Sequence, residues 1–549
     1  MPSPTLLIHP DDDVVVALAP LDAGATVTVG ETAYTLRERI PVKHKFAARD
    51  FAPNDPIHMY GGLVGRAQVS IPTGALLTTS NVAHAATGYT EHRHTYTWAP
   101  PDVSRWANTT FDGYHRADGQ VGTQNIWLVV PLVFCENRNI YTLRAALAET
   151  LGYAPRPVYR DYAERLAAAH RAGAAPADLE ALAFEASAAE RQARLFPNVD
   201  GLKFLTHHSG CGESRADSET FCALLAGYLN HPNVAGATIL SLGCQNAQVK
   251  VLEQALADRY PHFNKPLHIF DQQQLGVERT LVSEALKKTF LGVAAANETT
   301  RQPAPLSQLT FGMECGGSDG FSGLSANPAI GHAADLLVAL GGKVLLSEFP
   351  ELCGVEQQLI DRCVDAATAD RFIALQRAYA ARAERDGFGF DMNPSPGNIK
   401  DGLITDAMKS AGAAKKGGTA PIADVLDYTE PARAPGLSLL CTPGNDVEST
   451  TGLAGSGASI IFFSTGLGTP TGNPITPVIK VASNTALARR MPDVIDVDTG
   501  PIIRSEQTVA QMGAHLLDVA IDVASGRRTT RAMDLGQDDF IPWKRGISL

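Results

Sequence analysis

Residues 309–335 read LTFGMECGGSDGFSGLSANPAIGHAAD, and this stretch sets the reading of the chain. The apolar run Leu309–Met313 predicts a buried strand. It ends at Glu314 and Cys315, and a polar loop follows with Gly316, Gly317, Ser318, Asp319, Gly320, Ser322, Gly323, Ser325 and Asn327. A helix is expected to start near Pro328, with Asn327 as its cap and Pro in the first turn. Glycines let the backbone approach a ligand closely. With two carboxylates, a thiol and hydroxyls in one loop, strand–loop–helix here predicts a site.

The pattern recurs on both sides. NIWLVVPLVF (125–134) is a continuous apolar run ending in Cys135-Glu136-Asn137. VDGLKFLTHHSGCG (199–212) runs into His207, His208 and Cys211, and VAGATILSLGCQNAQ (234–248) turns at Gly243-Cys244. GKVLLSEFPELCG (342–354) ends a strand at Ser347-Glu348, with Glu351 beyond. GLSLLCTPGNDVEST (436–450) ends a strand at Cys441. Strands alternating with helices predict a mostly parallel sheet. Ligands bind outside the carboxyl ends of such strands, so these loops are expected to converge. Cysteines recurring at strand-to-loop junctions point to a shared site for at least three of Cys135, Cys211, Cys244 and Cys315.

The chain has 549 residues, too many for one core. Its hydrophobic content of 44% and charged content of 19% are those of a globular protein. A net charge of −12 with no basic block speaks against nucleic acid as a partner. No apolar window is long enough for a membrane span, and the N-terminal residues lack a signal-peptide pattern. Eight scattered cysteines without a CxxC fit a reducing, cytoplasmic setting.

Short strands with turn residues between them predict a small β domain over 1–86. Residues 87–112 read as an extended linker, in which His92 and His94 share a face but lack a third ligand nearby. Residues 157–197 predict a helical hairpin inserted in the second domain. Lys415-Lys416-Gly417-Gly418 reads by default as a solvated basic turn, with pairing of Lys415 or Lys416 to a substrate carboxylate as the alternative.

The segments HHSGCGES (207–214), LSLGCQNAQ (240–248), ECGGSDGFSGLSANPAIG (314–331), NPSPGNIKDGL (393–403), TPGNDVESTTGLAGSG (442–457) and FSTGLGTPTG (463–472) resemble the altronate and galactarate dehydratase family of sugar-acid hydro-lyases. KHKFAARDF (43–51), YGGLVGRAQVSIPTG (60–74) and GYHRADGQVGTQN (113–125) extend the likeness to nearly the whole chain. The resemblance implies an α/β fold: a small N-terminal β-clip (SAF-like) domain, then a larger, mostly parallel α/β catalytic region in two parts, 113–300 and 301–549. It implies loss of water from a sugar acid to give a 2-keto-3-deoxy acid, with iron(II) or manganese(II). The chain departs from the family pattern at four places. LLTTSN (76–81) replaces a His-rich segment and keeps only Asn81. Gln245 replaces an acid, and Leu467 and Gln124 replace basic residues. A changed substrate, a lyase releasing sulfite from a sulfonated hydroxy acid, or a non-catalytic sugar-acid binder are the alternatives these departures raise.

Dehydrating a 2,3-dihydroxy acid needs a base for the α-proton, an electrophile for the enediolate and an acid for the leaving hydroxyl. His207 or His208 is the expected base, with Glu314, Asp319, Glu348 and Glu351 as further acid–base groups or ligands. Two metal arrangements are open: one iron(II) on His207 or His208 with carboxylates, or an iron–sulfur cluster on Cys211, Cys244 and Cys315. Lys45, Asn81, Ser318, Ser322, Asn327, Asn398, Lys400, Asn445, Asp446 and Thr469 are the expected substrate contacts. A small sugar acid is the expected partner, and a homo-oligomer the expected assembly.

Overall fold

The fold was obtained as a computed structural model, which describes residues 3–92, 96–154, 158–185 and 193–546. His94 of the linker pair lies outside them, as does part of the expected helical hairpin. The rest of that insertion forms a helix at Val158–Arg171 and a short one at Pro176–Glu180.

The N-terminal domain is built from short antiparallel strands. Thr5–Leu6, Val14–Ala17 and Lys45–Ala47 form one sheet, and Pro56–Met59, Gly62–Ala67 and Val82–Ala83 another. A hairpin of Thr26–Val29 with Thr32–Thr35 completes it. Its apolar core continues into the C-terminal region, because Ile404, Ala407 and Met408 pack among Val14, Phe51 and Ile57. The linker crosses the C-terminal region, where Trp98 Nε1 donates to Thr419 Oγ1 at 3.2 Å.

The second domain carries a four-stranded parallel sheet. Its strands are β1 (Ile126–Pro131), β2 (Gly201–Phe204), β3 (Val234–Ser241) and β4 (Leu267–Asp271), in the order β2-β1-β3-β4. Every residue of β1 is buried, as expected of a continuous apolar run in a sheet covered on both faces.

The C-terminal region carries seven parallel strands. They are β5 (Thr310–Cys315), β6 (Lys343–Leu346), β7 (Ile422–Leu426), β8 (Gly436–Leu440), β9 (Ile460–Thr465), β10 (Val478–Ala482) and β11 (Val497–Asp498), in the order β7-β8-β6-β5-β9-β10-β11. The opening stretch is therefore the central strand. The helix after it, α1 (Ala326–Ala339), is mostly buried. Asn327 does not cap it: its amide donates to Gly412 O at 3.0 Å and its carbonyl accepts from Ser464 at 2.6 Å. Asn327 thus ties two segments together across the sheet edge, as a buried amide must when it lacks water. No described helix is long and apolar enough to cross a membrane.

Candidate active site at the carboxyl edge of the large sheet

The carboxyl end of β5 places two reactive side chains in a dry interior: Glu314 is 0% and Cys315 2% exposed. Beside them, at the end of β6, Glu348 adopts the left-handed conformation (φ 67°) and starts a single 3-10 turn over Phe349–Leu352. That turn brings Glu351, three residues on, to the same spot. Helix α2 (Asp406–Ala413) and the turn Ala414–Gly417 supply two lysines from above.

Lys416 donates to Cys315 Sγ at 2.6 Å and to Glu348 Oε2 at 2.7 Å. Cys315 Sγ donates to Glu351 Oε2 at 3.0 Å, and its backbone N–H to Glu348 Oε2 at 3.0 Å. Lys409 joins Glu351 Oε1 at 2.6 Å and Asn393 Oδ1 at 2.9 Å. Glu314 Oε2 accepts from Ser449 at 2.6 Å and Ser347 at 3.1 Å. Glu314 Oε1 and Glu348 Oε1 are buried without a hydrogen-bond partner among the described residues. Gly316 is required here, since a Cβ at that position would lie 2.0 Å from Asp446 Oδ2.

Burial, with the Glu348 charge next, pushes the Glu314 carboxyl well above the usual range. Burial also pushes Glu348 up to about 7, against the opposing pull of Lys416. Asp446 rises to about 6 through burial and the charge of Glu351. Lys480, in β10 and 3.4 Å over the Phe463 ring, falls to about 7 through burial. Burial opposes the Lys416 charge too, but Cys315 and the glutamates outweigh it and hold the ammonium. Both carboxyls are thus pushed up by burial, and titratable groups sharing one buried site are candidates for an acid–base pair.

Several expected site residues do other work. Asp319 is buried and saturated: Oδ1 accepts from Ser322, Ser483 and Phe321 N, and Oδ2 from Asn484 at 3.1 Å and Lys43 at 2.9 Å. It fastens the N-terminal domain to the large sheet. Lys45 is buried and donates to Gly402 O at 2.6 Å. Asn81 closes its own loop, bonding Thr78 N and Leu76 O. Asn398 caps its short helix with Ser395 and donates to Ser318 O at 2.7 Å. Asn445 caps the helix α3 (Asp446–Gly455). Lys400 and Asn445 are exposed, Thr469 is half-buried near the Gly317 turn, and Asp446 alone of the expected contacts sits against the acid cluster.

His207 has no nitrogen to spare. Nδ1 accepts from Ser209 N at 3.1 Å, which leaves Nε2–H to donate to Pro131 O at 2.7 Å. Burial lowers it to about 4, so it is a neutral strut rather than the base. His208 is exposed.

The expected cysteine set is also divided. Cys315 belongs to the large sheet, while Cys211 and Cys244 lie with Cys135 at the end of the small one. The pattern of strand-end cysteines runs through two sheets, and sequence alone does not show where one ends. Lys416, which reads as part of a solvated turn, is 1% exposed. Lys409 and Lys480 gave little signal beyond one lysine within an apolar strand for Lys480.

One group of possible metal ligands lies within this cluster, a different set from His207 or His208 with carboxylates. Sγ of Cys315 and one oxygen each of Glu348 and Glu351 lie within 4.8 Å of one another. The Lys416 ammonium, however, already bridges Sγ and Glu348, and Lys409 holds Glu351. As folded, the set fits lysines and not a divalent ion.

Fold and site together define a three-part α/β protein with a buried acid–lysine centre at the carboxyl edge of its largest sheet. Three family profiles match in succession: "Altronate/galactarate dehydratase SAF domain" over 3–85, "D-galactarate dehydratase/Altronate hydrolase, second domain" over 113–297, and "D-galactarate/Altronate dehydratase, C-terminal" over 306–548. The chain is 32% identical to altronate dehydratase of Escherichia coli over 99% of both chains. It is 30% identical to galactarate dehydratase (L-threo-forming) of the same organism, over 95% of this chain and 93% of that one. It is 33% identical to the (2R)-sulfolactate sulfo-lyase subunit beta of Chromohalobacter salexigens, over 63% of this chain and 87% of that one. The chain belongs to the altronate/galactarate dehydratase family.

Proposed function

We propose that this protein removes water from a sugar acid related to altronate or galactarate, giving a 2-keto-3-deoxy acid. The observation that carries this reading is the pairing of Glu348 with Glu314 inside a buried cluster that also holds two lysines. Glu348, with a pKa of about 7, is matched to taking the α-proton. Glu314, kept protonated, is matched to delivering a proton to the departing hydroxyl. Lys409 and Lys416 place positive charge where the substrate carboxylate and the enediolate need it, and exclusion of water strengthens that attraction. The proton gained by Glu348 and the one lost by Glu314 balance over a turnover, with water as the only by-product.

The test is an assay of altronate, galactarate and their stereoisomers with anaerobically purified protein, detecting the keto acid. Turnover on one of them, abolished by Glu348→Gln, supports the reading. No keto acid from any of them overturns it. The sulfo-lyase relative favours a second reading, release of sulfite from a sulfonated hydroxy acid. Sulfite in place of keto-acid formation without it separates the two.

A further inference from the structure

The small sheet carries a second cluster of reactive side chains, which the acid–lysine centre does not use. Three of its four strands lie side by side in the order β2-β1-β3, all parallel, and each is followed by a cysteine: Cys211 after β2, Cys135 after β1, Cys244 after β3. Pro131 of β1 pairs with Leu240 of β3. Cys135 and Cys244 therefore each stand four residues beyond one matched pair, and Cys211 seven beyond Phe204, which pairs with Val129.

The loops that bear them are fastened to one another. Phe134 N, next to Cys135, donates to Ser209 O at 3.2 Å. Ala247 N, after Cys244, donates to Gly210 O at 3.1 Å, next to Cys211. Asn246 Nδ2 donates to Glu213 O at 3.2 Å, and Asn137 Nδ2 to His207 O at 2.8 Å. Gly210, at φ 102°, presses on the end of β1: a Cβ there would meet Leu132 O at 2.1 Å. The Glu213 carboxylate holds Gly210 N at 2.9 Å. Gln245 shapes the Cys244 turn by accepting from Gly243 N at 2.7 Å and donating to Ser241 Oγ at 2.7 Å. His207 pins the same assembly to Pro131. So many polar groups are spent on presenting three thiols, which remain free and exposed.

We infer that Cys135, Cys211 and Cys244 together hold a polynuclear iron–sulfur cluster of the cubane type, one of whose irons carries no protein thiolate. Thiolates are the usual ligands of such clusters. The spacing favours a cluster over one ion. Tetrahedral ligation at about 2.3 Å puts two sulfurs about 3.8 Å apart. Among the described residues, these three sulfurs do not form a group within 4.8 Å of one another. Thiolates on different irons of a cluster stand wider apart. The hydrogen bonds between their loops nonetheless keep the three thiols at one end of the sheet. Each thiol releases its proton on ligation, and iron and sulfide are taken up from outside. The site lies on a different sheet from Glu348 and does not rest on the reading of that centre. Exposure of all three thiols leaves the fourth iron open to a small oxygen ligand.

The experiment is anaerobic purification of the full chain followed by iron and acid-labile sulfide analysis, visible absorption, and electron paramagnetic resonance after reduction. About four irons and four sulfides per chain are expected, with a broad visible absorption. Cys135→Ser, Cys211→Ser and Cys244→Ser should each lose the chromophore and most of the sulfide. Cys222→Ala, in the same domain, and Cys315→Ala should retain both. Circular dichroism and melting curves of each variant separate loss of the cluster from loss of the fold. Stoichiometric zinc without sulfide would overturn the inference. So would no metal after reconstitution, or a chromophore that survives in folded Cys135→Ser and is lost in folded Cys315→Ala.

Discussion

The two parallel sheets end their strands in the same way and treat the result oppositely. On the large sheet, Cys315 follows Glu314 inside a strand that is buried throughout. Charges so placed need partners from within the protein, because an unpaired buried charge costs several kcal/mol. Lys409 and Lys416, about a hundred residues further along, provide them. On the small sheet the thiols lie outside the core, and the loops are shaped by hydrogen bonds without an ion-pair network: backbone amides, Gln245, a neutral His207 and the Glu213 carboxyl group on Gly210 N. Strand-end position alone therefore does not set a cysteine's chemistry. In one place the thiol is a link in an ion-pair network. In the other it is free and exposed.

The largest effect expected from breaking this contrast is at Glu348. Glu348→Gln keeps the acceptor for Cys315 N but cannot take a proton, so kcat should fall about 10²–10⁴-fold, while the circular dichroism spectrum stays that of the parent. Because the ionised form is the base, kcat/KM should rise with pH and level off above about 7. A variant with parental turnover, or a rate that falls as pH rises through this window, would remove Glu348 from the chemistry.

Next is Lys416→Met, which fills the space but removes the charge between Cys315 and Glu348. Leaving the buried partners uncompensated should cost about 3–5 kcal/mol of stability, read by urea unfolding. A loss below 1 kcal/mol would mean the network is solvated and the large-sheet half of the comparison fails.

On the small sheet, burial holds His207 at about 4 in the folded chain against 6.5 ordinarily. Between those values the unfolded state binds a proton that the folded state does not. The stability tied to this histidine is whole above pH 6.5 and lost as pH falls towards 4, by about 3 kcal/mol. His207→Gln mimics the neutral ring but does not titrate. The stability difference between parent and variant should therefore drift by that amount across the window. A difference that does not change with pH would show His207 to be solvated and free to act as a base.

The apolar strand runs were readable from the sequence because continuous burial leaves a compositional mark: NIWLVVP and LTFGM announce themselves. Glu314 and Glu348 were readable because a carboxylate after such a run sits at a strand's carboxyl end. Lys416 was not. KKGG has the composition of a solvated turn, and only the docking of that turn over β5 and β6 buries one lysine while Lys415 lies against Tyr60. His207 misled for the converse reason. Next to SGCG it looks reactive, and nothing local shows Pro131 and Ser209 consuming both nitrogens. Which cysteines share a sheet was hidden as well, since strand order is a tertiary property.

Asn445 is where the remaining ambiguity between substrate contact and scaffold can be sharpened most cleanly. Its side-chain oxygen accepts from Val447 N and Glu448 N, both at 3.2 Å, at the start of α3. That helix carries Asp446 beside the acid cluster and Ser449 onto Glu314. As a cap, Asn445 acts through the helix, and Asn445→Ala should lower stability by about 1 kcal/mol. Asn445→Asp keeps the acceptor and adds a charge favoured at a helix N-terminus, so it should restore that stability. If capping is all Asn445 does, KM for the sugar acid is the same in both variants once they are assayed well below their melting temperatures. A KM that rises several-fold in Asn445→Ala, and rises again in Asn445→Asp through repulsion of an anionic substrate, would place this exposed amide at the substrate instead. The carboxyl edge of the large sheet would then extend outward from the buried lysines to the tip of α3.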